Sequence, residues 1–394
     1  MIKSFQYRIY PNKKQEVILN KTLSTCRNLY NNTLSERKHQ SEMNNLKSKF
    51  QVFPWSKQEW ITKYDQSATL TKNKTTFQKE VYSQVLQNVI LRVDKSYKRF
   101  FKGSGYPRFK GKNRYNSFTY PGSGFEIVDN ILSLSKIGNI KIIVHRPIEG
   151  TIKTCTIKKD IDQWYATFSC EIDIPIPIVE TNSKIGIDVG LTSLLTLSNG
   201  TKVEPPKFLR LSEKRLSREQ IKFSKKKLKS KNRNKQRIKV AKVHRTIRNQ
   251  RKDFNHKLSR RLVNTYDLIA FEDLQIQNMM QNHCLAKSIS DASWYNLQQF
   301  TLYKAEYAGK QVKFVNPSGT SMTCNICGFH APKDLSVRIH NCPNCGIIMP
   351  RDQMSAIIIE DRCLKKHNMV GTTKFQACVS SLSIDTMTQE APML

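Results

Sequence analysis

Four cysteines carry the most specific spacing in the chain. "CNIC" holds Cys324 and Cys327, "CPNC" holds Cys342 and Cys345, and a 14-residue spacer separates the two pairs. Thiolates at this spacing close a tetrahedral Zn2+ site. Four protein sulfurs leave no coordination position for water, so such a zinc is structural and not catalytic. A zinc deaminase would need His-x-Glu with Pro-Cys-x-x-Cys, but Asn341 precedes Cys342 and no His-x-Glu occurs. The remaining cysteines, Cys26, Cys155, Cys170, Cys284, Cys363 and Cys378, are scattered, which suits a reduced protein better than a disulfide framework.

Three carboxylates could perform hydrolysis. Asp188 is the only charge in the apolar run "IGIDVGL", Glu272 ends another apolar run in "LIAFEDL", and Asp352 follows the second cysteine pair in "MPRDQMSA". Taken singly, each has a plain structural role open to it, since a strand-end Asp commonly serves a turn or a cap. An ionised carboxylate in apolar surroundings is nevertheless costly unless something pairs with it. Brought together from two strands and a helix, the three would bind two Mg2+ ions, hard cations that prefer oxygen ligands. A pair of metals roughly 3.5 to 4 Å apart activates water and stabilises the leaving oxygen in phosphodiester cleavage. Spacing alone leaves Asp267 and Asp273 as competing ligands.

The charge calls for a polyanion. Over 394 residues, 66 Lys and Arg oppose 31 Asp and Glu, a formal net charge of +35, which repels itself unless neutralised. From Lys207 to Arg261 there are 23 Lys or Arg and only three acids, Glu213, Glu219 and Asp253. A solvated helix face would account for a charge run. Here, however, Ile247, Phe254, Leu258 and Leu262 give the segment a packing face. A folded helix then presents cations such as Lys225, Lys226, Lys227, Arg245, Arg248 and Arg251 to phosphates, with release of counterions. In "GYPRFKGKNRYNSFTYPG", Arg108, Lys110, Lys112 and Arg114 interleave with Tyr106, Phe109, Tyr115, Phe118 and Tyr120. That pattern suits phosphate gripping with base stacking, and equally the edge of a β domain. No apolar run approaches the roughly 18 residues of a spanning helix, and "MIKSFQYRIYP" lacks a signal-peptide core. A cytoplasmic protein without a membrane partner is expected.

The elements that must position these groups follow from periodicity. "IKSFQYRIYP" alternates as a strand, and Asn12 with Gln15 opens a helix whose Leu19, Leu23, Cys26 and Tyr30 share a face. Ser56 with Glu59 predicts a short helix holding Trp60, and Val81, Val85, Val89 and Val93 with Leu86, Ile90 and Tyr97 predict a long one ending near Gly103. From Gly105 short alternating runs, "SFTYP", "ILSLS", "IKIIVHR", "IKTCTIKK" and "WYATFSCEID", predict a small antiparallel β domain or barrel that the amino-terminal strand completes. "IPIPIVETNS" reads as an extended linker. Beyond it, strand-like "SKIGIDVGLTSLLTLSNG", "YDLIAFEDL" and "QVKFVNP" alternate with helical stretches, which predicts an α/β domain. Residues 367–394 show little pattern, as a disordered tail would.

In this order the motifs are recognisable. "YRIYPNKKQ", "VLQNVILRVDKSYKRFF", "GYPRFKGKNRYNSFTYP", "IGIDVGL", "RKDFNHKLSRRLV", "FEDL", "SISDASW", "TSMTCNICG" and "CPNCG" with "RDQMSA" resemble the TnpB (OrfB) family of transposon-encoded RNA-guided DNA nucleases, related to type V CRISPR effectors. The resemblance covers the chain to about residue 366. It implies a multi-domain α+β protein. A β-barrel wedge domain (1–11 and 103–182) would carry an inserted helical recognition domain (12–102), followed by a RuvC-like, RNase H-like α/β nuclease domain (183–320 and 350–366) interrupted by a zinc ribbon (321–349). Asp188, Glu272 and Asp352 match the family's three catalytic, Mg2+-holding carboxylates. Implied partners are a guide RNA from the transposon end and double-stranded DNA beside a short adjacent motif. By analogy with PAM-dependent effectors, the protein reads the short motif and base pairing reads the rest. Ser83, Gln84, Gln87, Thr119 and Tyr120 fall at the positions that face that motif.

The chain departs from the family after the second cysteine pair. Members commonly read D-R-D-x-N-A-A, and here Pro350, Met354 and Ser355 stand in place of the first Asp, the Asn and the first Ala. Exchanging an amide for a thioether removes hydrogen-bonding capacity near the carboxylates. Two activities therefore stay open: a metal-dependent endonuclease, and a nuclease-impaired RNA-guided DNA-binding regulator of transcription. A transposase acting directly on transposon ends finds no Tyr with His-x-His to support it.

Overall fold

In the computed structural model, which describes residues 1–49, 58–173, 183–334 and 337–368, the amino-terminal alternation becomes strand β1 (Ile2–Tyr10), with Phe5, Tyr7 and Ile9 buried. The chain divides into two units, Met1–Ile174 with Glu219–Lys242, and Pro175–Arg218 with Val243–Leu394.

In the first unit, β1 leads into helix α1 (Lys13–Lys49) through a reciprocal pair: Gln15 N donates to Asn12 Oδ1, and Asn12 N to Gln15 Oε1. Leu19, Leu23, Cys26 and Tyr30 are buried, as their spacing requires. Helices α2 (Lys63–Lys72), α3 (Thr76–Lys79) and α4 (Ser83–Phe100) follow. The start signal at Ser56 lies outside the described residues, and residues 58–62 are not helical. The capping box that opens α2 is Thr62 with Asp65, so Trp60 precedes the helix and is exposed. Strands β2 (Ser117–Pro121), β3 (Phe125–Val128), β4 (Ile131–Leu134), β5 (Gly138–Ile143), β6 (Thr151–Asp160) and β7 (Gln163–Glu171) build one sheet with β1. Its order is β2-β6-β7-β1-β5-β4-β3. β1 pairs antiparallel with β7 from Ile2 opposite Glu171 to Ile9 opposite Trp164, and with β5 on its other edge. Among the described residues β2 and β3 are the two edges, so the expected β domain or barrel is a half-barrel sheet.

The second unit is built on strands β8 (Lys184–Val189), β9 (Leu195–Leu197), β10 (Lys202–Val203), β11 (Leu268–Glu272) and β12 (Gln311–Val315), with β13 (Ile339–Asn341) and β14 (Ile348–Pro350) forming a separate hairpin. Its helices are α5 (Phe208–Ser224), α6 (Lys231–Thr265), α7 (Ile276–Met279), α8 (His283–Ala292), α9 (Trp294–Tyr307) and α10 (Arg351–Asn368); the end of α5 and the start of α6 group with the first unit. Sheet order is β10-β9-β8-β11-β12, with β8, β11 and β12 parallel. Both faces of this sheet are covered, which is why "LIAFE" is buried at every position. Ile185, Ile187, Val189, Ile269 and Phe271 pack with Leu258, Leu262 and Trp294. Leu268, Ala270 and Val315 face the other way, onto Ile359 and Cys363 of α10. Among the described residues no helix is long and apolar enough to cross a membrane. The linker segment 174–182 and residues 369–394 of the tail lie outside the described residues.

Candidate functional site

Strand parity decides which way the carboxylates point. On β8, Gly186 and Asp188 share a face, and Gly186 looks onto α10: a Cβ there would lie 2.0 Å from Ala356 O and 2.7 Å from Glu360 N. On β11, Glu272 shares the face of Leu268 and Ala270, which pack against the same helix. The parallel register sets Phe271 opposite Ile187, so Glu272 and Asp188 are the next pair along, at the carboxyl ends of adjacent parallel strands. Ligands of open α/β sheets gather at such ends. Asp352 arrives in the first turn of α10, on the third side.

The electrostatics follow from this arrangement. Burial, reinforced by the charges of Glu272 and Asp352, pushes the Asp188 carboxyl up to about 8. The Ser355 side chain and the Arg351 charge pull it back only in part. Glu272 is 6% exposed, and burial raises its pKa against the opposing effects of the Thr320 hydrogen bond and the Arg362 charge. The Thr320 hydroxyl donates to Glu272 Oε1 at 2.5 Å. Asp352 is paired with the guanidinium of Arg351, Nε to Oδ1 3.5 Å. Asp273 is exposed one residue beyond Glu272, whereas Asp267 sits before the other end of β11, ion-paired with Lys310 at 3.1 Å.

The residues that depart from the family pattern have defined places. Met354 is fully buried, so that position is a packing position here. Ser355 is 2% exposed, its hydroxyl closes no full hydrogen bond, and it faces Asp188. Sequence reasoning missed Thr320 as a partner of Glu272. The only signal was its place in "TSMTC", four residues ahead of the first metal-type cysteine.

The cysteines converge as their spacing demands. All four Sγ atoms lie within 4.8 Å of one another, with Cys324 to Cys345 3.6 Å and Cys327 to Cys342 3.5 Å. Sulfurs at tetrahedral corners, about 2.3 Å from zinc, would be about 3.8 Å apart. Each pair sits on a tight turn: Gly328 N donates to Cys324 O and Gly346 N to Cys342 O. Both glycines adopt left-handed backbone, φ 71° and 73°, which explains why each C-x-x-C is followed by Gly. The cluster is a structural zinc-binding motif.

The basic and polar candidates separate by exposure. Arg108, Lys112, Arg114, Lys225, Lys226, Lys227 and Arg248 are exposed, and Lys110 and Arg245 are half-buried. Ser83, Gln84 and Gln87 stand on the exposed face of α4, with Ser83 Oγ accepting from Lys74. Tyr120, Thr119 and Arg251 are bonded within the protein. Tyr120 is 1% exposed and its hydroxyl donates to Ser135 O. Thr119 Oγ1 accepts from Arg92 and lies 2.8 Å from Thr156 Oγ1. Arg251 is held by buried Asp291, Nε to Oδ1 2.9 Å, which also accepts from Leu209 N.

Comparison with known proteins adds independent testimony. Residues 167–283 match a family model described as "Probable transposase", 294–359 match "Cas12f1-like, TNB domain", and 1–45 match "Helix-turn-helix domain". Over residues 1–45 the structure itself has β1 and the single continuous helix α1. A Streptomyces pristinaespiralis protein named "Putative RNA-guided DNA endonuclease" is 35% identical over 369 residues, 90% of this chain and 87% of that protein. InsQ of Escherichia coli K12, named likewise, is 29% identical over 84% of this chain and 85% of its own length. The CRISPR-associated endodeoxyribonuclease Cas12f1 of Sulfoacidibacillus thermotolerans is 25% identical over 57% of this chain and 53% of its own. The chain belongs to the TnpB/Cas12f-like family of RNA-guided DNA endonucleases.

Proposed function

We propose that this chain is a metal-dependent nuclease that cuts double-stranded DNA matched by a guide RNA from the transposon end, next to a short adjacent motif. The second unit serves as a RuvC-like core interrupted by the zinc ribbon, and Asp188, Glu272 and Asp352 are its catalytic carboxylates. The first unit serves as wedge and recognition domains. The observation that carries the reading is the placement of three acids at the carboxyl ends of two adjacent parallel strands and in the first turn of one helix packed on them.

The residues present fit divalent cations. Three acidic side chains, one buried and two partly so, lie near enough for Glu272 and Asp352 to act on Asp188, with Arg351 and Arg362 as the cations acting on the group, an arrangement that favours positive charge of higher density than a guanidinium. Two Mg2+ ions held there would supply activation of water and charge stabilisation of the leaving oxygen. Asp188 and Asp352 offer oxygens from strand and helix, and Glu272 completes the set from the neighbouring strand. The strand ends fix two of these groups in rigid backbone, which limits their reorganisation during the reaction.

Exposed Arg108, Lys112, Arg114, Lys225, Lys226, Lys227 and Arg248 would neutralise phosphates, and Ser83, Gln84 and Gln87 would meet the adjacent motif. Buried Tyr120, bonded Thr119 and ion-paired Arg251 are left out of that surface. Sequencing of RNA co-purified with the full chain tests the reading. A single defined transcript ending at the element's own boundary is expected, and a random sample of cellular RNA would contradict it.

A further inference from the structure

We infer that Thr320 is a positioning residue: it fixes the Glu272 carboxylate for metal binding and anchors it to the base of the zinc ribbon. The inference rests on the reading of Glu272 as a metal ligand.

Thr320 is 3% exposed and its hydroxyl meets Glu272 Oε1 at 2.5 Å and Pro317 O at 2.9 Å. A hydroxyl has one hydrogen to donate. With Glu272 ionised, the charge-assisted bond to the carboxylate is the stronger of the two, so Thr320 donates to Glu272. That bond takes one lone pair of Oε1 and restrains the rotation of the group, while Oε2 keeps both of its lone pairs for a cation. Without it, a carboxylate that is 6% exposed would lose its hydroxyl donor.

The position of Thr320 is set by the ribbon's first turn. Thr320 N donates to Pro317 O, and Met322 N and Thr323 N both donate to Gly319 O. The Thr323 hydroxyl adds a bond to the same carbonyl at 2.8 Å. One residue later Cys324 joins the sulfur cluster. Arg362 of α10 donates to Asn316 O at 2.8 Å and Ser318 O at 2.7 Å, which ties the same turn to the helix carrying Asp352. The hydroxyl is therefore held from the zinc side and the helix side at once. Groups that orient metal ligands in this way typically change metal affinity about 10- to 100-fold when removed.

The test uses full-length ribonucleoprotein and Mn2+ as a paramagnetic probe, with binding read from water-proton relaxation. Thr320→Val keeps the shape and deletes the hydroxyl; Thr320→Ser keeps the hydroxyl. Thr320→Val is expected to weaken Mn2+ binding about 10- to 100-fold, with zinc content, RNA binding and target binding unchanged, and Thr320→Ser to restore affinity to within about threefold. Wild-type Mn2+ affinity in Thr320→Val would overturn the inference. So would a Thr320→Val variant that loses zinc or RNA binding together with a Thr320→Ser variant that fails to rescue. Glu272→Gln separates the two levels: if it keeps Mn2+ affinity, the assignment of Glu272 as a ligand fails, whereas loss in Glu272→Gln without loss in Thr320→Val rejects the role of Thr320 alone.

Discussion

Gly186→Ala puts the assembly of the site under direct strain. The new Cβ would stand 2.0 Å from Ala356 O, 2.7 Å from Glu360 N and 2.9 Å from Glu360 Cβ, two of the three being helix backbone that no rotamer change can move aside. Reaching an ordinary 3.4 Å contact requires α10 and β8 to part by about 1.4 Å. The helix cannot give freely, because Ser198, paired to Gly186 N, also donates to Glu360 Oε2 at 2.5 Å. Overpacking of this kind costs about 1–3 kcal/mol. The larger effect is chemical: Asp188 lies two residues along β8, Asp352 four residues before Ala356, and a misplacement of about 1 Å can cost about 100-fold in rate. The assay is single-turnover cleavage of a guide-matched plasmid, with thermal melting and target binding in parallel. Gly186→Ala should cut about 100-fold more slowly while holding RNA and target. Gly111→Ala, with nothing within 4 Å of its Cβ, is the matched control. Gly186→Ala cutting within about twofold of wild type would refute the packing argument.

Three further outcomes follow from particular contacts. Asp291→Ala leaves the half-buried Arg251 guanidinium and Leu209 N without their carboxylate, and should cost about 3–5 kcal/mol in urea unfolding; a loss below about 1 kcal/mol would show the pair to be dispensable. Purified protein should carry about one zinc per chain by elemental analysis and Cys324→Ser should carry none, since a closed site needs all four sulfurs; zinc-free wild type prepared without chelators would contradict this. Burial and the nearby Arg260 charge lower Lys304 from 10.5 to about 8, and its ammonium donates to His256 O and Ser259 Oγ. Between those values the unfolded chain holds the proton that the folded chain has released, so stability rises with pH. The gap between wild type and Lys304→Met should therefore shift in favour of wild type from about pH 8 to pH 10.5, and a pH-independent gap would reject it.

Much of this architecture was legible because it is periodic. Leu19, Leu23, Cys26 and Tyr30 were buried as their spacing said, and the apolar run "LIAFE" read as a strand, which the fold then buries at every position. The cysteine pairs converge because C-x-x-C-G is itself a turn geometry. What escaped was tertiary. Alternation shows that Tyr120 is on one face of β2, yet not that this face is the inner one, where its hydroxyl reaches Ser135 O. Arg251 looks like any other cation of the basic helix until Asp291, forty residues away in sequence, is folded onto it. The helix expected to hold Trp60 opens after it, at a capping box of Thr62 and Asp65, where a side chain satisfies the N-terminal N–H groups reciprocally. Thr320 carries no periodic signal at all; its role depends on a carboxylate 48 residues upstream.

The most direct measurement is cleavage by purified ribonucleoprotein with Mg2+, comparing wild type with Asp188→Ala on a plasmid carrying the guide-matched target, with target binding measured on the same samples. The account predicts cutting by wild type, background cutting by Asp188→Ala, and equal target binding by both. Undiminished cutting by Asp188→Ala would contradict it.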